Sequence, residues 1–381
     1  MKKINIMKKV LTGASGRDIL RLETFPLPFP IYLPNTPEQG GVNVKVYTIR
    51  DIAKLAGVSV TTVSRVLNHR PDVNSDTRAR VEQIIRETQF VGNSNARGLK
   101  QGNEVIGMVV RGRAKPFLGA LAEAILERGD RLPESLITDY IDEKGDEFQA
   151  AVRMTLQNHV KGIIFVGSLI DERVHVLRGM DLPMVFTTVN AETAALPRAS
   201  SVAVDDRLMG YQVGEALLNL GHVRTAVFGS NPVAGDSLAM RYQGFCEAYT
   251  ARGLIHDRTL YRESRFSFEA GYETAKVFFT EHPEVTALFT MSDTVAVGAI
   301  RALNDLGRSV PGDVSVVGFD GVNISRYTVP RLSTVEQPVE EIAQRSVNLL
   351  LDMMNNDAAP RHILVEAVFR NRESLAENRR G

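Results

Sequence analysis

Two groups of side chains in this sequence are placed to do chemistry. The first is a run of small hydroxyls around one arginine: Ser59, Val60, Thr61, Thr62, Ser64 and Arg65. Hydroxyls donate to phosphate oxygens, an arginine forks onto the edge of a guanine, and a valine methyl suits a thymine methyl. The second is a set of polar residues that each close a short apolar run. Ser168 follows GIIFVG, Thr188 and Asn190 follow PMVFT, Ser292-Asp293 follow TALFTM, and Asp320 ends VSVVGFD. Carboxylates and amides of this kind pair with vicinal hydroxyls, an arginine supplies a fixed fork of donors, and an aromatic ring covers an apolar face. A catalytic or metal group is not legible. The seven histidines (69, 159, 175, 222, 256, 282 and 362) show no metal-ligand spacing, and no G-x-S-x-G or P-loop signature occurs. Asp205-Asp206, read on an extended strand, point to opposite faces and cannot share a substrate. The expectation is a protein that is not an enzyme and needs no metal or cofactor.

The hydroxyl group must sit on a helix. Ile49, Ile52, Ala53 and Ala56 fall on one helical face; Gly57 accepts the left-handed backbone that ends a helix; Ser59 offers a capping oxygen. Val60–Leu67 then buries Val63, Val66 and Leu67 and turns Thr61, Thr62, Ser64 and Arg65 outward. Two short helices joined by a glycine turn, the second showing hydroxyls and an arginine, form a helix-turn-helix for the major groove. A third helix, capped by Asn74 or Ser75 with Asp76 in its first turn, carries Val81, Ile84 and Ile85 inward.

Zero formal net charge argues against a nucleic-acid partner only as an average. Residues 47–101 hold nine Lys/Arg against five Asp/Glu and residues 1–46 hold seven against three, leaving 29 against 37 for the remainder. A basic front on an acidic body is expected where only one end meets phosphate. The chain of 381 residues is too long for one core, no apolar run reaches the length of a membrane span, and the single cysteine, Cys246, excludes an intramolecular disulfide. A reducing, cytoplasmic location fits, with Cys246 as a small buried apolar side chain.

The string DIAKLAGVSVTTVSRVLN, followed by VNSDTRARVEQIIRETQF, resembles the DNA-binding headpiece of the LacI/GalR family of bacterial transcriptional repressors. The likeness runs from about residue 47 to 375. It implies a small all-α helix-turn-helix headpiece over 47–92 and a hinge over 93–103. A two-lobed α/β core would follow, like a periplasmic binding protein and built from two doubly wound parallel-sheet subdomains. The lobes are expected at 104–203 with 338–358, and at 204–337 with 359–381. The chain would cross between them near Ser201–Asp205, Thr334–Pro338 and Ala359–His362. The residues support the core independently: from Glu104 strand-like runs alternate with helical ones, and two such rounds echo each other at about 125 residues. RLPESLITDYIDE (131–143) fits this poorly, since Pro133-Glu134 open it, and distortion or an insertion is expected there.

Residues 1–46 are atypical. MKKINIMKKVLTG is too interrupted for a secretory signal, and five prolines between Phe25 and Pro37 favour an extended linker. The expectation is a natural start near Val42 or Val44, read from a GTG codon, with the preceding residues untranslated or disordered. In the hinge, Asn93, Ala96, Arg97 and Leu99 match the resembled family's pattern, in which a leucine wedges into the minor groove. Gly92 stands where proline is common, and Gly98 weakens the hinge helix by about 1 kcal/mol.

The resemblance implies a sequence-specific repressor whose operator affinity is set by a small molecule, sugar-like, bound between the lobes. An activator or dual regulator of the same architecture, or a plain sugar-binding protein, are the alternatives. Val60, Thr61 and Arg65 would read bases. Thr48, Ser59, Thr62, Ser64, Asn68 and Asn74 would hold phosphates, with Asn93, Arg97 and Leu99 acting at the hinge. Effector contacts carried over by position are Phe117, Thr188, Arg241, Phe266, Ser292, Asp293, Asp320 and Gln337. The pocket composition admits a neutral sugar, a phosphorylated sugar or a nucleobase. The expected partners are double-stranded operator DNA, the effector and a second copy of the chain. The tail SLAENRRG lacks a leucine heptad, which favours a dimer.

Overall fold

The computed structural model describes residues 49–67, 73–88, 104–112, 115–142, 145–230 and 237–379. Its first part is three helices, α1 (Ile49–Ala56), α2 (Val60–Leu67) and α3 (Ser75–Thr88). Gly57 takes φ +64° between α1 and α2, the left-handed turn expected there. Ser59 Oγ accepts from the Thr62 amide at 3.1 Å, so the second helix has its side-chain cap. At the start of α3 the cap is Asn74, whose Oδ1 accepts from the Asp76 amide at 2.9 Å. Ile52, Ala53, Ala56, Val63, Val66 and Val81 are buried together, with Ile84 and Ile85 packed against them. A core this small depends on each member. Full burial of an Ile or Val side chain contributes about 1.5–3 kcal/mol.

The body contains two sheets of the same design. The first is formed by β1 (Val105–Arg111), β2 (Ser135–Ile141), β3 (Gly162–Val166), β4 (Met184–Thr187), β5 (Ala199–Val204) and β11 (His362–Val365). The second is formed by β6 (Thr225–Gly229), β7 (Tyr261–Glu263), β8 (Ala287–Thr290), β9 (Ser315–Asp320), β10 (Ser333–Glu336) and β12 (Val368–Arg370). Strand order is β11-β5-β4-β3-β1-β2 in one and β12-β10-β9-β8-β6-β7 in the other. All pairings are parallel except β10 with β12. The central strands are short, wholly buried runs, as parallel strands covered on both faces must be. Between strands run α4 (Pro116–Gly129), α5 (Glu147–Asn158), α6 (Asp206–Asn219), α7 (Ser237–Thr250), α8 (Phe268–Glu281), α9 (Asp293–Asp305) and α10 (Val339–Asn355). Phe148, Phe165 and Phe186 fill the first lobe, the last two stacked at 4.6 Å; Phe228, Phe278 and Phe279 do so in the second.

Three expectations change. The segment after Pro133-Glu134 is undistorted: β2 pairs with β1 in unbroken parallel register from Ser135 to Ile141, and the proline precedes the first paired residue. The third crossing between sheets lies between Val365 and Val368, not near Ala359–His362, because β11 extends the first sheet beside β5 before the chain reaches β12. Asp205 is not on a strand: its carboxylate caps α6 by accepting from the Leu208 amide at 2.9 Å. The start-site, proline-linker and hinge expectations (1–46, 93–103) lie outside the described residues.

Candidate functional site

In an open parallel sheet the strand order reverses at one place, and the loops leaving the two strands there diverge to leave a crevice at their carboxyl ends. Here β1 and β3 are that pair in the first lobe, β6 and β8 in the second. A cleft of about 660 Å³, counting the part open to solvent, lies at these ends. The first lobe supplies Lys115 to Leu118 after β1, Gly167 to Leu169 after β3, and Thr188 after β4. The second supplies Ser237, Leu238 and Arg241 from α7, Phe266 after β7, Met291 and Ser292 after β8, and Asp320 at the end of β9.

The second-lobe wall is braced from behind. Arg241 is buried, donates through Nε to Asp206 Oδ1 at 2.7 Å and through an Nη to the Met291 carbonyl at 3.0 Å, and lies 3.5 Å over the Phe319 ring. Two of its five N–H donors are thereby used to fix a guanidinium that lines the cleft. Asp320 accepts from Gln337 Nε2 at 3.0 Å. Burial raises its carboxyl to about 6, against the opposing pull of Arg241, Gln337 and Ser292. Ser292 is the N-cap of α9 and bonds Thr294 Oγ1 at 2.9 Å. Asp293 is fully buried; it accepts from the Val322 amide at 2.8 Å and the Thr334 hydroxyl at 2.6 Å, and burial next to Asp320 pushes its carboxyl well up.

The two lobes touch across the cleft. Ser237 Oγ donates to the Thr188 carbonyl at 2.9 Å, and Lys115 Nζ sits 4.7 Å over the Phe266 ring. Thr188 has φ +72° and Asp320 φ +112°. Each is the residue at or just after the fourth strand of its own lobe, and neither is glycine. A β-branched residue at positive φ is strained, and such strain persists where the surroundings over-determine it.

Of the eight expected effector residues, Phe117, Thr188, Arg241, Phe266, Ser292 and Asp320 line one cleft. Asp293 and Gln337 do not: the first ties α9 to the loop after β9 and to β10, the second orients Asp320. Lys115 and Ser237 carried no signal in the sequence, and Asp206 figures there only as half of an Asp205-Asp206 pair. Asp206 in particular meets Arg241 only because α6 packs along α7. His222, after Leu220-Gly221, stands where a residue is expected to end the preceding helix and cap its carbonyls, and only the backbone does so. Its backbone amide closes that helix on Leu217, while the buried ring bonds Thr286 Oγ1 and the Ala376 carbonyl, pinning the C-terminal segment. Cys246 is partly buried, its thiol pushed up to about 11 by burial, so it is a poor nucleophile. Among the described residues no His/Cys/Asp/Glu group is built to hold a metal, and no helix is long and apolar enough to cross a membrane.

On α2, Thr61 and Arg65 are exposed and Val60 is 41% exposed, a hydrocarbon surface that the small helical core does not use. Thr62 is half-buried and its hydroxyl is engaged with Ser59 at 2.8 Å, so these two act as one unit at the helix start. Asn74 is exposed and caps α3. Thr48, Asn68, Asn93, Arg97, Leu99 and the side chain of Ser64 lie outside the described residues.

Residues 48–93 match the family model for bacterial regulatory proteins of the lacI family, and residues 214–375 that for a periplasmic binding protein-like domain. The chain is 31% identical over 334 residues to the HTH-type transcriptional regulator MalR of Clostridium butyricum, covering 86% of this chain and 98% of that one. It is 33% identical over 301 residues to the HTH-type transcriptional regulator DegA of Bacillus subtilis strain 168, covering 77% and 88%. Among solved structures it resembles the lac repressor dimer bound to operator and an anti-inducer, with 28% identity, a TM-score of 0.64, and coverage of 87% of this chain and 100% of that one. It also resembles the transcriptional regulator CelR in complex with cellobiose, with 27% identity, a TM-score of 0.64, and coverage of 86% and 99%. A three-helix headpiece whose second helix shows Thr61 and Arg65, joined in sequence to two parallel-sheet lobes around a polar cleft, agrees with those matches. The chain belongs to the LacI family of bacterial regulatory proteins and is a DNA-binding transcriptional regulator controlled by a small-molecule effector.

Proposed function

We propose that this regulator acts as a cytoplasmic homodimer that represses transcription, and that its effector is a sugar or sugar derivative held in the cleft between the lobes. The observation that carries the effector reading is the pairing of a braced guanidinium, Arg241, and a carboxylate, Asp320, on one wall, with the Phe266 ring also lining the cleft. Fixed donors, a fixed acceptor and one apolar ring face are the recognition set of a polyol ring. The relatives whose printed names or titles mention cellobiose or an operator support the same reading.

In this reading Val60, Thr61 and Arg65 face base edges in the major groove. Ser59, Thr62, Ser64, Thr48, Asn68 and Asn74 hold phosphates, and Asn93, Arg97 and Leu99 act where the hinge meets the minor groove. The effector works by binding one relative angle of the lobes better than another, since only differential affinity shifts a conformational equilibrium. The test is a thermal-unfolding screen of sugars on the full chain, followed by operator titration with and without each hit. A ligand that raises the melting temperature and changes operator affinity in wild type, but does neither in Asp320→Asn, is expected. A hit whose effect is untouched by Asp320→Asn places the effector elsewhere.

A further inference from the structure

The first-lobe wall of the cleft holds groups that the sugar reading does not use. Ser168 is 4% exposed and lines the cleft, yet its hydroxyl has no hydrogen-bond partner in the protein. Leaving a buried hydroxyl unpaired costs about 1–3 kcal/mol, so a ligand oxygen brought to this group is favoured by a hydrogen bond that the protein itself does not make. Beside it is the start of α4, a 14-residue helix whose N-cap is Lys115 and which no side chain caps. Pro116 removes one of the orphan amides; those of Phe117 and Leu118 follow at the cleft, where the positive end of the helix dipole lies.

Glycine at 167 makes this juxtaposition possible. It has φ +77°, and a side chain there would run into Leu118 and crowd the Arg111 carbonyl. Only a bare backbone lets the end of β3 close on the first turn of α4, which seats Ser168 next to that turn. The cations of this end are Lys115, Arg111 and Arg173; the anions are Glu147, which both arginines approach at 3.6–3.7 Å, and Asp171, which pairs with Arg173 at 2.7 Å. The one carboxylate that lines the cleft, Asp320, is on the other wall with Arg241.

We propose that the effector carries an oxyanion, a phosphate or carboxylate on a polyol, seated on the Ser168 hydroxyl, the first-turn amides of α4 and Lys115. This rests on the sugar reading for the rest of the ligand but not for the subsite. Lys115 then leaves the Phe266 face for the anion, and the ring is freed to cover the ligand's apolar side. A ligand so held joins the first-lobe anion subsite to the sugar contacts of the second lobe.

The experiment uses the full chain, with melting temperature and calorimetric titration as readouts. The probes are glucose, galactose and ribose as free sugars, as terminal phosphates and as the corresponding sugar acids, and inorganic phosphate alone. For at least one sugar the anionic form is expected to bind at least about tenfold more tightly than the neutral form, the scale of a charge-assisted hydrogen bond. That ratio should collapse in both Ser168→Ala and Lys115→Met. Equal binding of neutral and anionic forms, or a ratio that survives both substitutions, overturns the subsite and leaves the sugar reading standing. Binding of inorganic phosphate that is lost in Ser168→Ala, with no response to any sugar form, upholds the subsite and removes the sugar reading. Silence toward every probe, phosphate included, overturns the subsite.

Discussion

The two walls of the cleft are built from sheets of the same strand order but are finished differently. On the second lobe nearly every polar group is engaged from behind: Arg241 by Asp206 and Met291, Asp320 by Gln337, Asp293 by Val322 and Thr334. On the first lobe a buried serine hydroxyl lacks a partner and a helix begins without a side-chain cap. A satisfied network is stiff, because moving any member breaks several bonds at once. An unsatisfied wall gains most when a ligand arrives. On the proposed effector reading, the second lobe would be the template that orients the ligand, and the first lobe would gain most from its arrival.

The largest effect should follow from breaking the stiff wall. Arg241→Ala takes the guanidinium away from the buried carboxylate of Asp206, which costs about 3–5 kcal/mol and lowers the melting temperature by on the order of 10 °C. A change of under about 2 °C by calorimetry would mean that the pair braces nothing. For the same reason loss of effector response in this variant is interpretable only beside its stability, and Asp320→Asn is the cleaner probe of ligand contact. Next in size is Arg65→Ala, at about 1–3 kcal/mol of operator affinity with relaxed preference at one base pair per half-site. It leaves both walls intact, so the effector response of the residual binding should persist. An equal loss on random DNA would refute base reading.

The third prediction concerns pH. The carboxyl of Asp320 titrates at about 6 in the folded chain, above its ordinary value near 3.8. The folded state therefore binds the proton more tightly than the unfolded one, so this group's stabilising contribution is fully present below about pH 4. It is lost as pH rises through about 6. Wild type should thus gain stability relative to Asp320→Asn between pH 7.5 and 5, measured by paired thermal melts. Effector affinity should fall over the same range if the ionised carboxylate is the acceptor. A difference flat in pH would place the titration elsewhere. Smallest of all is Ser168→Ala on the ligand-free protein. Removing a buried hydroxyl that bonds nothing relieves a desolvation cost of about 1–3 kcal/mol and leaves only a small void, so stability should rise, by about 1 kcal/mol. A loss of several degrees would show the hydroxyl to be structurally engaged and would erase the contrast between the walls.

Much of this was readable without coordinates, for identifiable reasons. The bounds of α1 and α2, Ile49–Ala56 and Val60–Leu67, follow from helical spacing, Gly57 and the Ser59 cap, all of which act within four residues. The apolar runs that became β1, β3, β4, β6, β8 and β9 were legible because buried parallel strands carry no alternation to be misread. Less was readable where partners are distant. Pro133-Glu134 pointed to a distorted segment, but an edge strand needs only one bonded neighbour, and β1 supplies it. The ring of His222 could not be assigned from its neighbours, since its partners are Thr286 and Ala376. Asp293 and Gln337 were grouped with the effector contacts by position, and packing set them behind the surface.

The sequence by itself determined the helix-turn-helix, the alternation of strands and helices in two rounds, and the polar residue at each strand end, because these depend on backbone preference and local periodicity. Only the tertiary structure decided which of those strand-end residues face the cleft, that Arg241 is held by Asp206 thirty-five positions away, and that Ser168 meets the uncapped start of α4. Those pairings arise where separate segments are pressed together by burial, and no spacing along the chain encodes them.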